Sequence, residues 1–279
     1  MARPQGALFG INLLGKKKLE GGSLADENLK RSKLAEAWAF MEWKWKYAPR
    51  LRKFKNLHAG EDCFILGNGP SLNKMDLSPL ADYHTFGQNK IFLIFDKVDL
   101  NLSYLVSVNP YVIEQSKKEF EEIYCPVFLS HTASRNVVAD KPHIHRLHTL
   151  NVWSFYDDIT QPICEGHTVT YVSLQLAYYM GFKRVFLIGV DHSFKQQGAS
   201  HEVQVYEGND ENHFHPDYFK GQKWQLADVY GSEVSYHLAN YFFLKDGRQI
   251  FDATVGGKLE VFPKVNFEDV LGKLKKKKR

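Results

Sequence analysis

The chain has 279 residues and a formal net charge of +4, and that total hides an uneven division: residues 1–57 carry 13 Lys/Arg against 5 Asp/Glu, the last seven carry 6 against none, and residues 58–272 carry 17 against 27. An acidic body between two basic ends excludes a general nucleic-acid binder, which spreads Lys and Arg over a folded face. A hydrophobic content of 44% excludes disorder for the bulk of the chain.

No stretch approaches the roughly 18 uninterrupted apolar residues of a membrane span, and the opening lacks the order of a signal peptide, so a cytoplasmic protein is expected. Cys63, Cys125 and Cys164 lie far apart in or beside apolar runs, as buried thiols do, and neither a disulfide framework nor a cysteine-based zinc site is expected.

In chain order, the Gly- and Lys-rich start has no period and reads as an arm. From Ser23 or Asp26, either of which can cap a helix, Leu29, Leu34, Ala37, Trp38, Met41, Trp45 and Tyr47 recur at helical spacing among lysines and arginines. A basic, Trp-rich amphipathic helix can lie in an anionic bilayer interface or dock on the body or on a second copy of the chain, and Pro49 is expected to end it. Cys63 to Leu66 then reads as a strand that stops at Gly67-Asn68-Gly69-Pro70-Ser71. A strand entering a Gly-rich turn is how a doubly wound fold begins its nucleotide site: the glycines let the backbone approach phosphate or ribose, and proline starts a helix. The third glycine of the dinucleotide fingerprint and the Gly-Lys-Ser/Thr of P-loops are both missing.

Further strands are expected over residues 85–87, 104–108, 127–130 and 185–188, with a helix from Thr168 to Tyr179 closed by a left-handed Gly181. Strands alternating with helices imply an α/β, Rossmann-like, mainly parallel sheet, in which ligands sit beyond the carboxyl ends of the strands. Asn68, Asn89, Asn109 and Asp191 occupy those ends. Residues 192–224 lose all periodicity and carry His192, His201, His213 and His215 with Tyr206 and Tyr218, the composition of a lid. A helix over residues 231–245, a strand over 249–251 and a short segment over 267–274 complete the chain. The expected organisation is a basic arm and helix (1–57), a catalytic domain (58–272, lid about 192–224) and a basic tail (273–279).

Histidine takes up a proton near neutral pH, so a lid histidine facing a nucleotide is a candidate general base. The pairs His213/His215 and His143/His145 are weak metal signals without a third ligand. Asp191 can accept hydrogen bonds from ligand hydroxyls or hold Mg²⁺ against phosphates.

The motifs from Phe64 to Leu72, the positions of Asn89 and Asn109, and residues 166–171 leading through 177–183 to Val185–Asp191 resemble the family-42 bacterial sialyltransferases. They equally resemble the 6-hydroxymethylpterin pyrophosphokinase-like proteins (domain of unknown function 115), which include flagellin nonulosonate transferases. The resemblance implies a GT-A-like variant of the Rossmann-like fold. It also implies an inverting, metal-independent transfer, without cofactor, of an acidic sugar from a CMP-activated donor to a glycan or lipid-linked acceptor. Gly67, Asn68, Gly69, Pro70, Ser71, Asn89, Asn109, Thr168, Thr170, Asp191, His192 and Ser193 would then bind substrate, and His213 or His215 would be the base. The sialyltransferases have a tyrosine two residues after the aspartate to stabilise the leaving phosphate; Ser193 stands there, so Tyr206 or Tyr218 is the expected substitute. The alternatives are Mg²⁺-dependent diphosphate transfer from ATP and a non-catalytic nucleotide-binding protein. Weak attachment of the basic ends to an anionic membrane is expected to favour a lipid-linked acceptor over a soluble pterin, and a homo-oligomer is left open.

Overall fold

The structure is a computed structural model that describes residues 24–205 and 207–277, with side chains from residue 32 onward. It divides into two units, Met1–Ala39 and Phe40–Arg279. In the first, the described residues are the opening turns of α1 (Leu24–Glu42), on which Leu34 and Trp38 are exposed. All that follows concerns the second.

After α1 the helix widens into a π turn, Trp43–Tyr47, and continues as α2 (Ala48–Leu51) and a 3₁₀ turn, Arg52–Phe54. Pro49, expected to stop the helix, is instead accommodated within it. The Ala48 N–H reaches back five residues to the Trp43 carbonyl, so the missing proline N–H falls where the bonding pattern has already shifted. Trp43, Leu51 and Phe54 are buried, and the Trp43 indole donates to the Arg146 carbonyl at 2.8 Å. Residues 43–54, read from sequence with the arm, therefore pack into the body. Met41 and Trp45 stay exposed.

The strands are β1 (Asp62–Leu66), β2 (His84–Gln88), β3 (Tyr104–Ser107), β4 (Val127–Ser130), β5 (Ile144–Leu147), a short pair β6 (Thr149–Leu150) and β7 (Ile163–Cys164), then β8 (Arg184–Ile188), β9 (Val203–Val205), β10 (Lys223–Gln225) and β11 (Gln249–Asp252). The helices that follow α2 are α3 (Pro110–Gln115), α4 (Lys117–Glu122), α5 (His131–Ser134), α6 (Val169–Tyr179), α7 (Val229–Lys245) and α8 (Phe267–Leu271). Seven strands form one sheet in the order β11-β8-β1-β2-β3-β4-β5, and every pairing in it is parallel. This is the Rossmann-like α/β architecture expected. β5 was not legible as a strand, because His145 and Arg146 interrupt its apolar run; both are buried all the same.

Alternation along β1 sends Cys63 and Ile65 to one face, under α2, α6 and α7, and Phe64 and Leu66 to the other, under α3, α4, α8 and the 3₁₀ turns Pro70–Lys74, Ser78–Asp82 and Ile91–Ile94. The chain steps outward from β1 to β5 and then returns to lay β8 on the other side of β1. That reversal opens a crevice between the carboxyl ends of β1 and β8, where doubly wound sheets bind ligands. Thr168 caps α6 and Gly181 (φ +89°) follows it, both as expected. The three cysteines are free and buried. Among the described residues no helix is long and apolar enough to cross a membrane.

Candidate functional site

The floor of the crevice is two loops fastened to each other. Gly67 N–H donates to the Ile188 carbonyl (2.8 Å) and Gly69 N–H to the Gly189 carbonyl (2.9 Å). The Ser71 N–H and hydroxyl donate to the two oxygens of Asp191, at 3.2 and 2.6 Å. A methyl group on Gly67 would lie 2.2 Å from the Gly189 carbonyl oxygen, and one on Gly69 1.9 Å from an Asp191 oxygen. The glycines thus serve the approach of β1's loop to β8's loop, and the amides of Gly67, Gly69 and Ser71 are spent on that contact rather than left for a phosphate. Pro70 starts only a short 3₁₀ helix, Pro70–Lys74. Burial pushes the Asp191 carboxyl up from its ordinary range, against the pull of the two Ser71 bonds.

Two adjoining cavities of about 150 and 480 Å³ lie above this floor and share Asn89, His167, Thr168, Val169, His213, Ala227 and Asp228. Gly67, Asn68, Gly69, Thr170, Asp191, His192 and Ser193 line the smaller cavity, and Asn109 the larger. Pro70 and Ser71 lie beside the floor, outside both linings. Asn89 holds a left-handed conformation (φ +48°), and its side-chain oxygen accepts from Ser107. Asn109 caps α3 and donates to Gln225 at 3.1 Å. Thr168 opens α6 into both cavities, presenting the positive end of an 11-residue helix. Thr170 donates to Gln88, which is itself in the lining. His192 lies 3.5 Å from Glu233, and Ser193 is exposed.

The lid is anchored rather than loose. Its β9–β10 ribbon carries Trp224, and Phe214, Tyr218, Phe219, Trp224 and Leu226 are buried in the second core cluster. Phe214 is clamped on both sides: its N–H donates to the Asn68 carbonyl (2.8 Å), and its carbonyl accepts from Asn73 (2.7 Å). The neighbouring His213 is thereby fixed. Its ring stacks on Tyr218 (4.1 Å, 5°), and its Nδ1 meets the buried Asp210 carboxylate at 2.8 Å. His213 lines both cavities, and no bond is made to its Nε2 among the described residues. His215 lines neither; its Nδ1 accepts from Asp217 N–H.

Several sequence expectations take different places. Tyr218 is buried beneath His213 with its hydroxyl on the Lys90 N–H (3.2 Å), outside both cavities, and Tyr206 lies outside the described residues. Among the described residues the tyrosine that reaches the smaller cavity is Tyr236 of α7, its hydroxyl 3.4 Å from Thr168 Oγ1. Lys90 is turned away from the cavity. It holds the lid through the Tyr218 carbonyl and Gln222 and also donates to Gln115 of α3, and burial lowers its pKa to about 8. Arg135 faces Glu42 at 3.7 Å. His143 and His145 do not form a metal pair: His143 bonds the Phe120 carbonyl, and His145 packs on Phe54 and Phe128. The described part of the basic tail contacts the body. The Lys277 N–H and ammonium donate to the carbonyls of Asp82 (2.7 Å) and Asn101 (2.8 Å), and Lys276 pairs with the Asp82 carboxylate.

Sequence reasoning passed over Asp210, Asp228, His167, Gln88 and Tyr236. Asp210 stands three residues before His213 and Asp228 at the start of α7, so local spacing carried a signal for those two. Tyr236 carried none. Among the described residues no Lys or Arg side chain lines either cavity, while Asp191, Asp228 and Glu165 do.

Fold and site together define a Rossmann-like α/β protein with a ligand crevice at the carboxyl edge of a parallel sheet. The chain belongs to the family described as 6-hydroxymethylpterin diphosphokinase MptE-like, whose model matches residues 39–197. No curated protein matches it. Among solved structures it is similar to the MAf glycosyltransferase from Magnetospirillum magneticum AMB-1, at 15% identity and a TM-score of 0.48, over 80% of this chain and 36% of that one. The chain thus spans about a third of that structure's length.

Proposed function

We propose that the chain is a transferase that moves an acidic sugar, of the nonulosonate or Kdo type, from a CMP-activated donor to a hydroxyl acceptor. The observation that carries this reading is the Asp210–His213 pair, aimed into a cavity bounded by the start of α6. Asp210 orients the ring and supports the positive charge it gains. His213 Nε2 takes the proton of the acceptor hydroxyl as that oxygen attacks the anomeric carbon from the face opposite the phosphate. The bond from the anomeric carbon to the phosphate oxygen breaks, its electron pair leaves on CMP, and the centre is inverted. The positive end of α6 and the Tyr236 hydroxyl oppose the charge developing on the leaving phosphate. Tyr236 thereby takes the part for which Ser193 is unsuited.

The family's name supports a second reading, diphosphate transfer from ATP to a hydroxymethyl group. That chemistry calls for Mg²⁺, and the residues here do not fit it at Asp191. Both oxygens of that carboxylate already accept from Ser71, burial disfavours its charge, and the nearby Asp252 is paired with Lys264. The sugar-transfer reading is tested by CMP release from a CMP-activated nonulosonate or Kdo donor. His213→Ala is expected to lose transfer by ~10²-fold or more while still binding CMP. Undiminished turnover in that variant contradicts the reading.

A further inference from the structure

The walls of the two cavities pose a charge problem. A nucleotide donor brings negative phosphate, yet the lining holds the carboxylates of Asp191, Asp228 and Glu165 beside its histidines and no Lys or Arg among the described residues. At the rim of the larger cavity three side chains from separate elements converge: His167 just before α6, His201 on the lid before β9, and Asp228 at the cap of α7. Their donor atoms form a nearly equilateral triangle. His167 Nδ1 lies 3.0 Å from His201 Nε2 and 3.0 Å from Asp228 Oδ2, and His201 Nε2 lies 3.2 Å from the same oxygen.

Ring protons cannot satisfy all three edges of this triangle at once while the carboxylate is ionised. If one nitrogen carries a proton, the other nitrogen faces the carboxylate lone pair to lone pair. If both do, both N–H groups can converge on the Asp228 oxygen, but the two nitrogens are left 3.0 Å apart with no bond between them. A single cation at the centre satisfies all three contacts at once. Neighbouring ligands around an octahedral ion with bonds of about 2.1 Å are ~3.0 Å apart, and around a tetrahedral zinc ~3.4 Å apart. The observed edges match the first and approach the second.

The surroundings are shaped for the approach. His167 and His201 both adopt left-handed backbone conformations (φ +61° and +68°), uncommon for residues with side chains. A side chain on Gly231 would come within 2.5 Å of Asp228 Oδ2 and 2.7 Å of the His167 ring. The second Asp228 oxygen accepts from Gly231 N–H at 2.8 Å, which orients the carboxylate, and Trp153 packs on the His167 ring at 4.7 Å.

We propose that His167, His201 and Asp228 bind one divalent first-row transition cation, such as Mn²⁺ or Zn²⁺, with its remaining positions open to the larger cavity. Two imidazoles and one carboxylate select such an ion over Mg²⁺, which prefers oxygen. The cation joins the lid, through His201, to the starts of α6 and α7. Its second role, to hold a phosphate oxygen of the donor in a cavity with no Lys or Arg among the described residues, rests on the transferase reading; the site itself does not. This departs from the metal-free expectation drawn from sequence, and it places the ion away from Asp191.

The test is calorimetric titration of the chelator-treated full chain with MnCl₂, ZnCl₂ and, for comparison, MgCl₂, with no nucleotide present. One equivalent of Mn²⁺ or Zn²⁺ is expected to bind, at least ~10-fold tighter than Mg²⁺, and to raise the thermal midpoint. His201→Ala is expected to abolish that binding. Asp228→Asn, which keeps an oxygen for the Gly231 cap, is expected to weaken it and guards against misfolding of the first variant. His84→Ala, at a second His/Glu cluster far from the crevice, should leave it intact. Absence of stoichiometric binding, binding that survives both cavity variants, or binding lost with His84 each overturns the proposal. Because nucleotide is absent, failure here leaves the donor reading standing, and failure of that reading leaves the site standing.

Discussion

The molecule contains two clusters of nearly the same composition at opposite edges of its sheet. At the amino edge, His58, Glu61 and His84 meet: Glu61 Oε2 lies 2.8 Å from His58 Nδ1 and 3.1 Å from His84 Nε2. At the carboxyl edge, His167, His201 and Asp228 make a similar triangle. The first lines neither cavity of the crevice. His58 Nε2 is taken by the Tyr104 hydroxyl (2.6 Å), its ring stacks on Phe182, and burial, with the neighbouring His58 and Lys277 adding to it, lowers the His84 pKa to about 4. The second opens on a cavity bounded by a helix start and faced by His213. Both clusters join two imidazoles to one carboxylate; access to a cavity and neighbouring dipoles make one packing and the other a candidate for chemistry.

Four results would sharpen or break this contrast. The largest effect is expected at the carboxyl edge, where His213→Ala costs ~10²-fold or more in transfer rate and Asp210→Asn costs less, since the ring survives and only its orientation is relaxed. His58→Ala, measured in the same assay, should lower stability and leave turnover per folded molecule unchanged. Next is Tyr236→Phe, which removes one hydroxyl from the smaller cavity. A loss of ~10–100-fold in kcat is expected with CMP affinity little changed, and an unchanged kcat would detach Tyr236 from the leaving phosphate.

Gly69→Ala comes third, in stability rather than rate. The added methyl would stand 1.9 Å from Asp191, so a loss of about 2 kcal/mol or more is expected by urea unfolding, together with loss of nucleotide binding. The smallest effect concerns pH and belongs to the buried histidines away from the crevice. Burial lowers His84, His131 and His145 each to about 4 in the folded state, against about 6.5 unfolded. The unfolded state therefore binds more protons, and stability is lost as pH falls from about 6.5 to about 4. Among the described residues both ring nitrogens of His145 are buried without partners, and Lys53, His143 and Arg50 further disfavour its charge. His145→Phe should gain about 1 kcal/mol at pH 5 and less at pH 8, read from thermal midpoints. An equal gain at both pH values would point to packing alone.

Much of this architecture was legible in the residues themselves. The apolar runs at Cys63–Leu66 and Val185–Ile188 are strands buried on both faces, so their composition announced them, and the turns after them announced the crevice. β5 escaped because a strand may bury His145 and Arg146 when tertiary partners exist: Arg146 finds Ser134 and the Val138 carbonyl, and nothing within residues 144–147 foretells either. The Gly67–Ser71 turn was recognisable, but its purpose was not. Its amides serve β8's loop, a partner some 120 residues away, rather than a phosphate. Lid composition identified His213, whereas choosing it over His215 required the Phe214 clamp, which ties the lid to Asn68 and Asn73. Tyr236 enters the cavity from a helix whose sequence carries no sign of it, because only the packing of α7 against the start of α6 brings its hydroxyl to Thr168.

The proposed function requires the crevice between β1 and β8 to take a cytidine nucleotide donor. Its most direct test is a calorimetric and thermal-shift titration of the full chain with CMP, CDP and ATP, each with and without Mn²⁺ and Mg²⁺. CMP and CDP are predicted to bind and to raise the thermal midpoint, more strongly with Mn²⁺, and to lose that effect in Gly69→Ala. Binding of ATP with Mg²⁺ in the absence of any binding of CMP or CDP would contradict the account.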